Sequence, residues 1–494
     1  MRVLHVGDDF AALRPCGLTL YTDALMRAQI ARGHDVAYVF SGRHYPGLAR
    51  PRLKRWSSHR VRMYELIGSP IRSHWEAGTR DPERDLAEPV GEAAFAAAVR
   101  ESRPDVIHIQ ELARLPSSVI RRAKVLGIPV VMNLHDYKPV CAAVRLLDAD
   151  GHRCLKQEIG RDCARNCGDA PEGPEHLIDW TMRYHRRRVK QAVPFLNRLH
   201  LSRLASALEI AISALRTRQT GPAGADPHAS HRAPPTPGDY QRRRDVNIER
   251  LSACDRLIAP SARVAEVYAT LGVDDSRLCV QRLTLPHLER LAPRRGPEVA
   301  DPLRFVTLGG CASPAKGSRA VVEAVRRLER DGRGGEYRLL VLGHVEPFAA
   351  RELVTVGSVS LPGSYAIEEL DHLLDEPDVG ILPSVWEESH GFVGIEMLAK
   401  GIPVIGSALG GIPEYVQPGV TGWLNRSASG AELAELMVRA IESPVEVQRL
   451  RSSVRARRRE LVRPMDAHVD EVQALYAQLI EGDGARPGGS DRLR

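Results

Sequence analysis

No apolar run in the chain is long enough to span a bilayer, which takes about 20 residues as a helix, and no stretch repeats at the period of a solenoid. Neither a helical membrane protein nor a repeat array is expected. Lysine is scarce, so the net charge of +7 rests almost wholly on arginine and reads as a coding bias rather than a nucleic-acid surface. The first ten residues pattern as a strand and its turn, not as a signal peptide, which predicts a cytoplasmic protein. Eight cysteines in 494 residues do not make a disulfide framework there, because that compartment keeps thiols reduced. Wholesale disorder is excluded as well: 43% hydrophobic composition, with charge of both signs throughout, suffices for two domains that each bury a core.

Short apolar runs alternate with helical patterns. Arg2 to Val6, Val36 to Phe40, Val106 to Gln110 and Pro129 to Leu134 read as strands, and Leu18 to Arg32 and Ser117 to Leu126 as helices. The rhythm restarts at Leu303, with strands at Arg304 to Leu308, Tyr337 to Leu342, Val379 to Leu382 and Pro403 to Gly406. Helices are expected near Ser318 to Arg330, Ile367 to Leu374 and Gly391 to Lys400. Such alternation predicts two α/β domains, each a parallel sheet covered on both faces. The expected division is 1–290, carrying a long insertion from about 136 to 250, then 291–480, then a disordered tail 481–494. Proline-rich Leu285 to Pro302 is the expected linker, and Gly221 to Gly238 within the insertion reads as a loop.

The segment from Pro383 to Glu396 carries the most chemistry. A strand enters it, a loop holds Glu387 and Glu388, and a helix opens near Gly391. Unsatisfied amides at a helix start, here Gly391, Phe392 and Val393, bind phosphate. A carboxylate on either side, Glu388 or Glu396, suits sugar or ribose hydroxyls. Lys316 follows the second domain's first strand through a glycine-rich turn and can reach a diphosphate at the carboxyl end of the sheet. In the first domain, His135 ends a buried strand, where an imidazole can donate a hydrogen bond, and Gly17 stands in the turn after the first strand. Asp148 and Asp150 read as a turn rather than a metal pair.

The run from Glu388 to Glu396 resembles the E-x7-E motif of family-4 glycosyltransferases, and Gly401-Ile-Pro-Val404 and Gly410-Gly-Ile-Pro-Glu414 are similar to that family's next strand and loop. The resemblance spans most of the chain outside the insertion. It implies the GT-B fold, two Rossmann-like doubly wound domains facing a cleft, and a retaining, metal-independent transfer from a UDP-, GDP- or ADP-sugar to a glycan, lipid-linked or small-molecule acceptor. It further implies that Glu396 holds the donor ribose, Glu388 the donor sugar and the amides after His390 the diphosphate, with His135 at the active site and Gly17 in the acceptor-side loop. Departures from the family are His390, where Phe is usual, and Cys311, where an arginine five residues before Lys316 is usual. A nucleotide-sugar epimerase or hydrolase, or a catalytically inactive binding module, would use the same scaffold.

The insertion holds two further candidates. Cys141, Cys154, Cys163 and Cys167 are ligands of a structural zinc, free buried thiols or a redox-sensitive pair. The arginine-rich pattern from Trp180 to Arg218 is either a face resting on anionic lipid, which would place the protein peripherally on the inner face of the membrane, or a helix packed on the first domain.

Overall fold

The computed structural model describes residues 1–46, 50–73, 77–168, 170–171, 173–192, 234–293 and 299–484. The chain divides into two compact units. Unit 1 is Met1–Ile258, Val267–Cys279 and Glu471–Arg494; unit 2 is Ala259–Glu266 and Val280–Asp470.

Unit 1 is built on strands β1 (Arg2–Asp8), β2 (Asp35–Ser41), β3 (Arg52–Ser58), β4 (Val61–Ile67), β5 (Val106–Ile109), β6 (Val130–Asn133), β7 (Arg256–Ala259) and β8 (Leu278–Val280), in the order β3-β4-β2-β1-β5-β6-β7-β8. From β4 to β7 the pairings are parallel, and β3 runs antiparallel against β4. β5 and β6 are buried along their whole length and β1 is buried beyond Arg2, as strands covered on both faces must be. The strand pair β3 and β4 has no counterpart in the expected set. β3 is an edge strand carrying Arg52, Lys54 and Arg55, and its charge masks the apolar pattern.

Unit 2 contains β9 (Leu303–Leu308), β10 (Tyr337–Leu342), β11 (Val359–Gly363), β12 (Val379–Leu382), β13 (Val404–Ser407) and β14 (Gly422–Asn425), all parallel, in the order β11-β10-β9-β12-β13-β14. That is the doubly wound order, with its reversal between β9 and β12. Its core joins Phe305, Val341, Ile381 and Ile405 of the strands to Val321, Val325 and Leu328 of the helix Ser318–Arg330.

The structure corrects four boundaries. The single division near residue 290 gives way to crossings after Ile258, Glu266, Cys279 and Asp470. The final helix, Met465–Gly484, returns its second half to unit 1, where Tyr476 bonds His108 and Gln29 across more than 360 residues of sequence. The expected linker opens with a helix, Pro286–Arg290. The expected loop ends in another, Pro237–Ser252, started by a capping box in which Thr236 and Asp239 exchange bonds, with proline at the first turn. This second helix anchors the insertion with arginines: Arg243 pairs with Asp85 at 2.8 Å and Arg244 donates to the Val140 carbonyl at 2.7 Å, both side chains buried. Residues 193–233 and 485–494, including much of the expected basic pattern and tail, lie outside the described residues.

Candidate functional site

β9 and β12 are neighbours at the reversal point of unit 2, so the loops that leave them rise side by side. They are tied to each other: the Val385 amide donates to the Ala315 carbonyl at 3.0 Å. Gly317 turns with φ +95 against Pro383, and a Cβ there would meet the Pro383 carbonyl. Lys316 is thereby aimed across the gap, its Nζ 2.9 Å from Glu388 Oε2 and 4.9 Å above the Trp386 ring. Glu388 also accepts from Ser384 Oγ and Trp386 Nε1, each at 3.0 Å. Three donors on one carboxylate fix its direction.

The adjacent Glu387 is committed elsewhere, paired with Arg263 at 2.8 Å and accepting from the Gly410 amide at 3.1 Å. Arg263, 124 residues away in sequence, is thus a brace that no local spacing reveals. Gly410 has φ +60, and a Cβ on it would overlap the Glu388 backbone nitrogen and oxygen. Substituting Gly410→Ala is expected to cost about 1–3 kcal/mol from the left-handed backbone alone, and more from the overlap. An unchanged denaturant midpoint would show that the loop yields freely.

After Gly391, with φ +67, the helix Phe392–Ala399 begins. Its internal bonding starts with the Gly394 amide donating to the Gly391 carbonyl at 2.9 Å, which leaves the Phe392 and Val393 amides at the open end; both residues are half-buried, and Gly391 is buried. His390 is turned inward, Nε2 donating to the Leu283 carbonyl at 2.9 Å, with burial lowering its pKa to about 4. One turn into the helix, Glu396 receives a bond from His287 Nε2 at 2.7 Å. Tyr365 faces the same carboxylate, its hydroxyl pKa raised by burial and by Glu396. Cys311 is fully buried in the core, its thiol pushed up to about 12 by burial, so its side chain brings no cation to this end of the sheet.

Unit 2 therefore brings together Lys316, Glu388, Glu396 and the opening amides of Phe392 and Val393. Sequence reasoning missed Ser384, Trp386, His287 and Arg263. Of these, only Trp386 and Ser384 had a local signal, as polar-capable side chains in the same loop. Gly17 and His135 belong to unit 1. Gly17 opens the helix Gly17–Ala31 after the N-cap Cys16. His135 Nε2 lies 3.1 Å from Gln110 Oε1, and its ring packs edge-on to Tyr21 at 5.1 Å between centroids.

The four insertion thiols converge without forming a ligand set. Burial, then Cys141, push the pKa of Cys167 up to about 11, and burial with Cys141, Cys167 and Cys154 pushes Cys163 higher. Among the described residues, however, the only group of three or more candidate ligands with atoms mutually within 4.8 Å is Asp148, Asp150 and His152. No three of these thiols bring their sulfurs within 4.8 Å of one another. The Asp148 group is the expected turn, with Asp148 Oδ1 accepting from the Asp150 and His152 amides. The described part of the basic pattern, in the helix Glu175–Ala192, packs on unit 1: Arg187 donates to the Ala12 and Leu13 carbonyls and Tyr184 is buried. No helix among the described residues is long and apolar enough to cross a membrane.

Two family models match. Residues 17–208 match "Glycosyl transferase 4-like domain" and residues 302–443 match "Glycosyl transferases group 1". Among curated proteins, the colanic acid biosynthesis glycosyltransferase WcaL of Escherichia coli K12, itself named as putative, is 30% identical over 177 residues, 33% of this chain and 42% of that protein. The amylovoran biosynthesis glycosyltransferase AmsK of Erwinia amylovora is 27% identical over 242 residues, 47% of this chain and 57% of that one. The matches span about half the length of these relatives. Among solved structures, Anabaena HepE in complex with UDP aligns at TM-score 0.56 with 13% identity, covering 97% of this chain and all of that one. Sucrose-phosphate synthase from Thermosynechococcus elongatus aligns at 0.59 with 16% identity, covering 98% and 100%. At such identity these two show the fold alone, which is GT-B.

Proposed function

Because the chain belongs to the family-4 glycosyltransferases, we propose that it transfers a sugar, with retention at the anomeric carbon, from a nucleoside-diphosphate sugar to a glycan acceptor. The observation that carries this reading is the Lys316 to Glu388 pair, which joins the two loops at the reversal point of unit 2 beside an open helix start. Each part has a role. The Phe392 and Val393 amides and Lys316 offset the diphosphate charge, so no divalent cation is required. Glu396, held by His287, accepts from the ribose hydroxyls, and Glu388 accepts from hydroxyls of the sugar being moved. In a retaining transfer the acceptor attacks on the face the diphosphate leaves, and a departing phosphate oxygen takes the acceptor proton. No carboxylate nucleophile enters. On unit 1, His135 is the proposed hydrogen-bond donor to the reacting sugar, its ring set by Gln110 and Tyr21.

UDP-sugars are the first donors to test, since the HepE structures hold UDP and UDP-glucose. A glycan acceptor is proposed because WcaL and AmsK are named for colanic acid and amylovoran biosynthesis.

A thermal-shift screen of UDP-, GDP- and ADP-sugars, with a chelator present, tests the proposal. A donor at 100 times its Kd should stabilise the native chain by about 2.7 kcal/mol and stabilise Glu396→Ala far less. A screen in which every nucleotide sugar leaves the wild type unmoved, or shifts both proteins equally, counts against the site.

A further inference from the structure

Three glutamates stand in or just before the helix Phe392–Ala399, and the chain satisfies them unequally. Glu387 has both oxygens on Arg263, Nε donating to Oε2 at 3.2 Å and Nη2 to Oε1 at 2.8 Å. Glu388 has both oxygens on Lys316, at 2.9 and 3.3 Å, with Ser384 and Trp386 added on Oε2. Glu396 differs. His287 Nε2 donates to its Oε1 at 2.7 Å, and among the described residues that is the one hydrogen bond its side chain makes. The side chain is nevertheless only 7% exposed. A carboxylate oxygen so far from water needs a donor, and the chain does not supply one.

The histidine is itself held in place. The expected linker forms the helix Pro286–Arg290, with proline at its first turn and His287 next. Two ties besides the His287 bond fasten this segment to the helix that carries Glu396. His390, just before that helix, donates from Nε2 to the Leu283 carbonyl at 2.9 Å. Arg458 spans the other end: its Nε donates to the Ala399 carbonyl at 3.2 Å, and its Nη2 to the Leu291 and Glu289 carbonyls at 2.9 and 3.1 Å. The imidazole thus fixes Glu396 by one oxygen and leaves the other to a ligand.

Resting on the sugar-transfer reading, we propose that His287 is a positioning residue for the donor: by taking Oε1 it presents Oε2 to the ribose, and so makes the site select ribonucleotides over nucleotides that lack a ribose hydroxyl. The ligand class follows from chemistry. A phosphate would meet like charge at Glu396. A divalent cation lacks its cage, because no three candidate ligands gather at this carboxylate among the described residues. A hydroxyl donates without bringing charge, and a ribose offers two on adjacent carbons. An analogue without the donating hydroxyl leaves a nearly buried carboxylate oxygen unpaired, which is the circumstance in which a site discriminates most strongly.

The test is equilibrium binding to the full chain by titration calorimetry, with UDP, GDP and ADP, then with the 2′-deoxy and 3′-deoxy forms of whichever binds most tightly. The wild type should bind at least one deoxy form about tenfold or more weakly than the ribonucleotide. His287→Ala should lower the ribonucleotide affinity about tenfold and bring that ratio close to one. His287→Gln, whose amide can still donate to Oε1, should restore the ratio. His287→Asn, whose amide stops short of Oε1, should level the ratio as alanine does, and it serves in place of alanine if that variant fails to fold. A role confined to folding would weaken every form alike. A ratio unchanged in the alanine or asparagine variant therefore overturns the proposal. So does a wild type that binds the ribonucleotide and both deoxy forms equally, an outcome that leaves nucleotide binding itself standing. A wild type that binds none of the three nucleotides defeats the sugar-transfer reading instead.

Discussion

Replacing Glu388 with alanine is expected to lower kcat/KM for sugar transfer by about 10²- to 10³-fold, the range found when a preorganised polar partner of a transition state is removed. The carboxylate is aimed before any ligand arrives, by Ser384, Trp386 and Lys316. Its side chain is only 8% exposed, so water screens it little, whereas Lys316 retains 29% exposure and is free to follow an incoming phosphate. Truncation also strands the Trp386 and Ser384 donors, at a cost of about 1–3 kcal/mol. The two effects separate in Glu388→Gln, whose carbonyl oxygen can still accept from both donors. That variant should regain the stability and not the rate. Initial rates at saturating donor, beside denaturant midpoints for the three proteins, make the check; a glutamine variant with wild-type kcat would assign the residue to scaffolding.

Much of this site was legible because its parts lie close together in sequence. Glu388, Gly391 and Glu396 fall within one strand, loop and helix, and Lys316 occupies the same place after β9 that Glu388 occupies after β12. Periodicity placed β9, β10, β12 and β13 within a residue of their ends, because strands buried on both faces have little freedom of composition. What escaped was whatever is decided across distance. His287 reaches Glu396 over 109 residues and Arg263 reaches Glu387 over 124, and neither histidine nor arginine announces its partner. Arginines read as a composition bias are in part buried struts, as Arg114 and Arg244 show. β3 was hidden by its charged edge, and the helix Pro237–Ser252 by a proline and a glycine that read as loop but serve its first turn.

Buried histidines should cost this protein stability above the pH at which ordinary carboxylates titrate. His5, His44 and His390 are buried and neutral, with burial lowering their pKa values to about 4, 3 and 4. The tautomer of His5 is fixed by its neighbours: Nε2 donates to Gln29 Oε1 at 2.7 Å, and Nδ1 accepts from Gln110 Nε2 at 3.1 Å. A proton on Nδ1 would therefore face another donor. In the unfolded chain each imidazole takes up a proton near pH 6.5, so between that pH and the folded value the unfolded state binds more protons. Stability is complete above pH 6.5 and falls as pH drops toward 4, by roughly 2 kcal/mol per imidazole at pH 5. Asp8 works in the opposite direction. Burial raises its pKa to about 6, against the pull of Arg114, so the folded state binds that proton first and regains about 1 kcal/mol at pH 5. Glu111, also raised, adds to the same side. Asp136, raised by burial, stands with these acids, so the histidine part is read as the fall in urea midpoint between pH 7 and pH 5 that a histidine variant lacks. In His5→Gln, where an amide can still donate to Gln29, the loss of stability between pH 7 and pH 5 should be smaller than in the parent by roughly 2 kcal/mol. A variant whose loss over the interval equals the parent's would mean that His5 is not held neutral inside the folded chain.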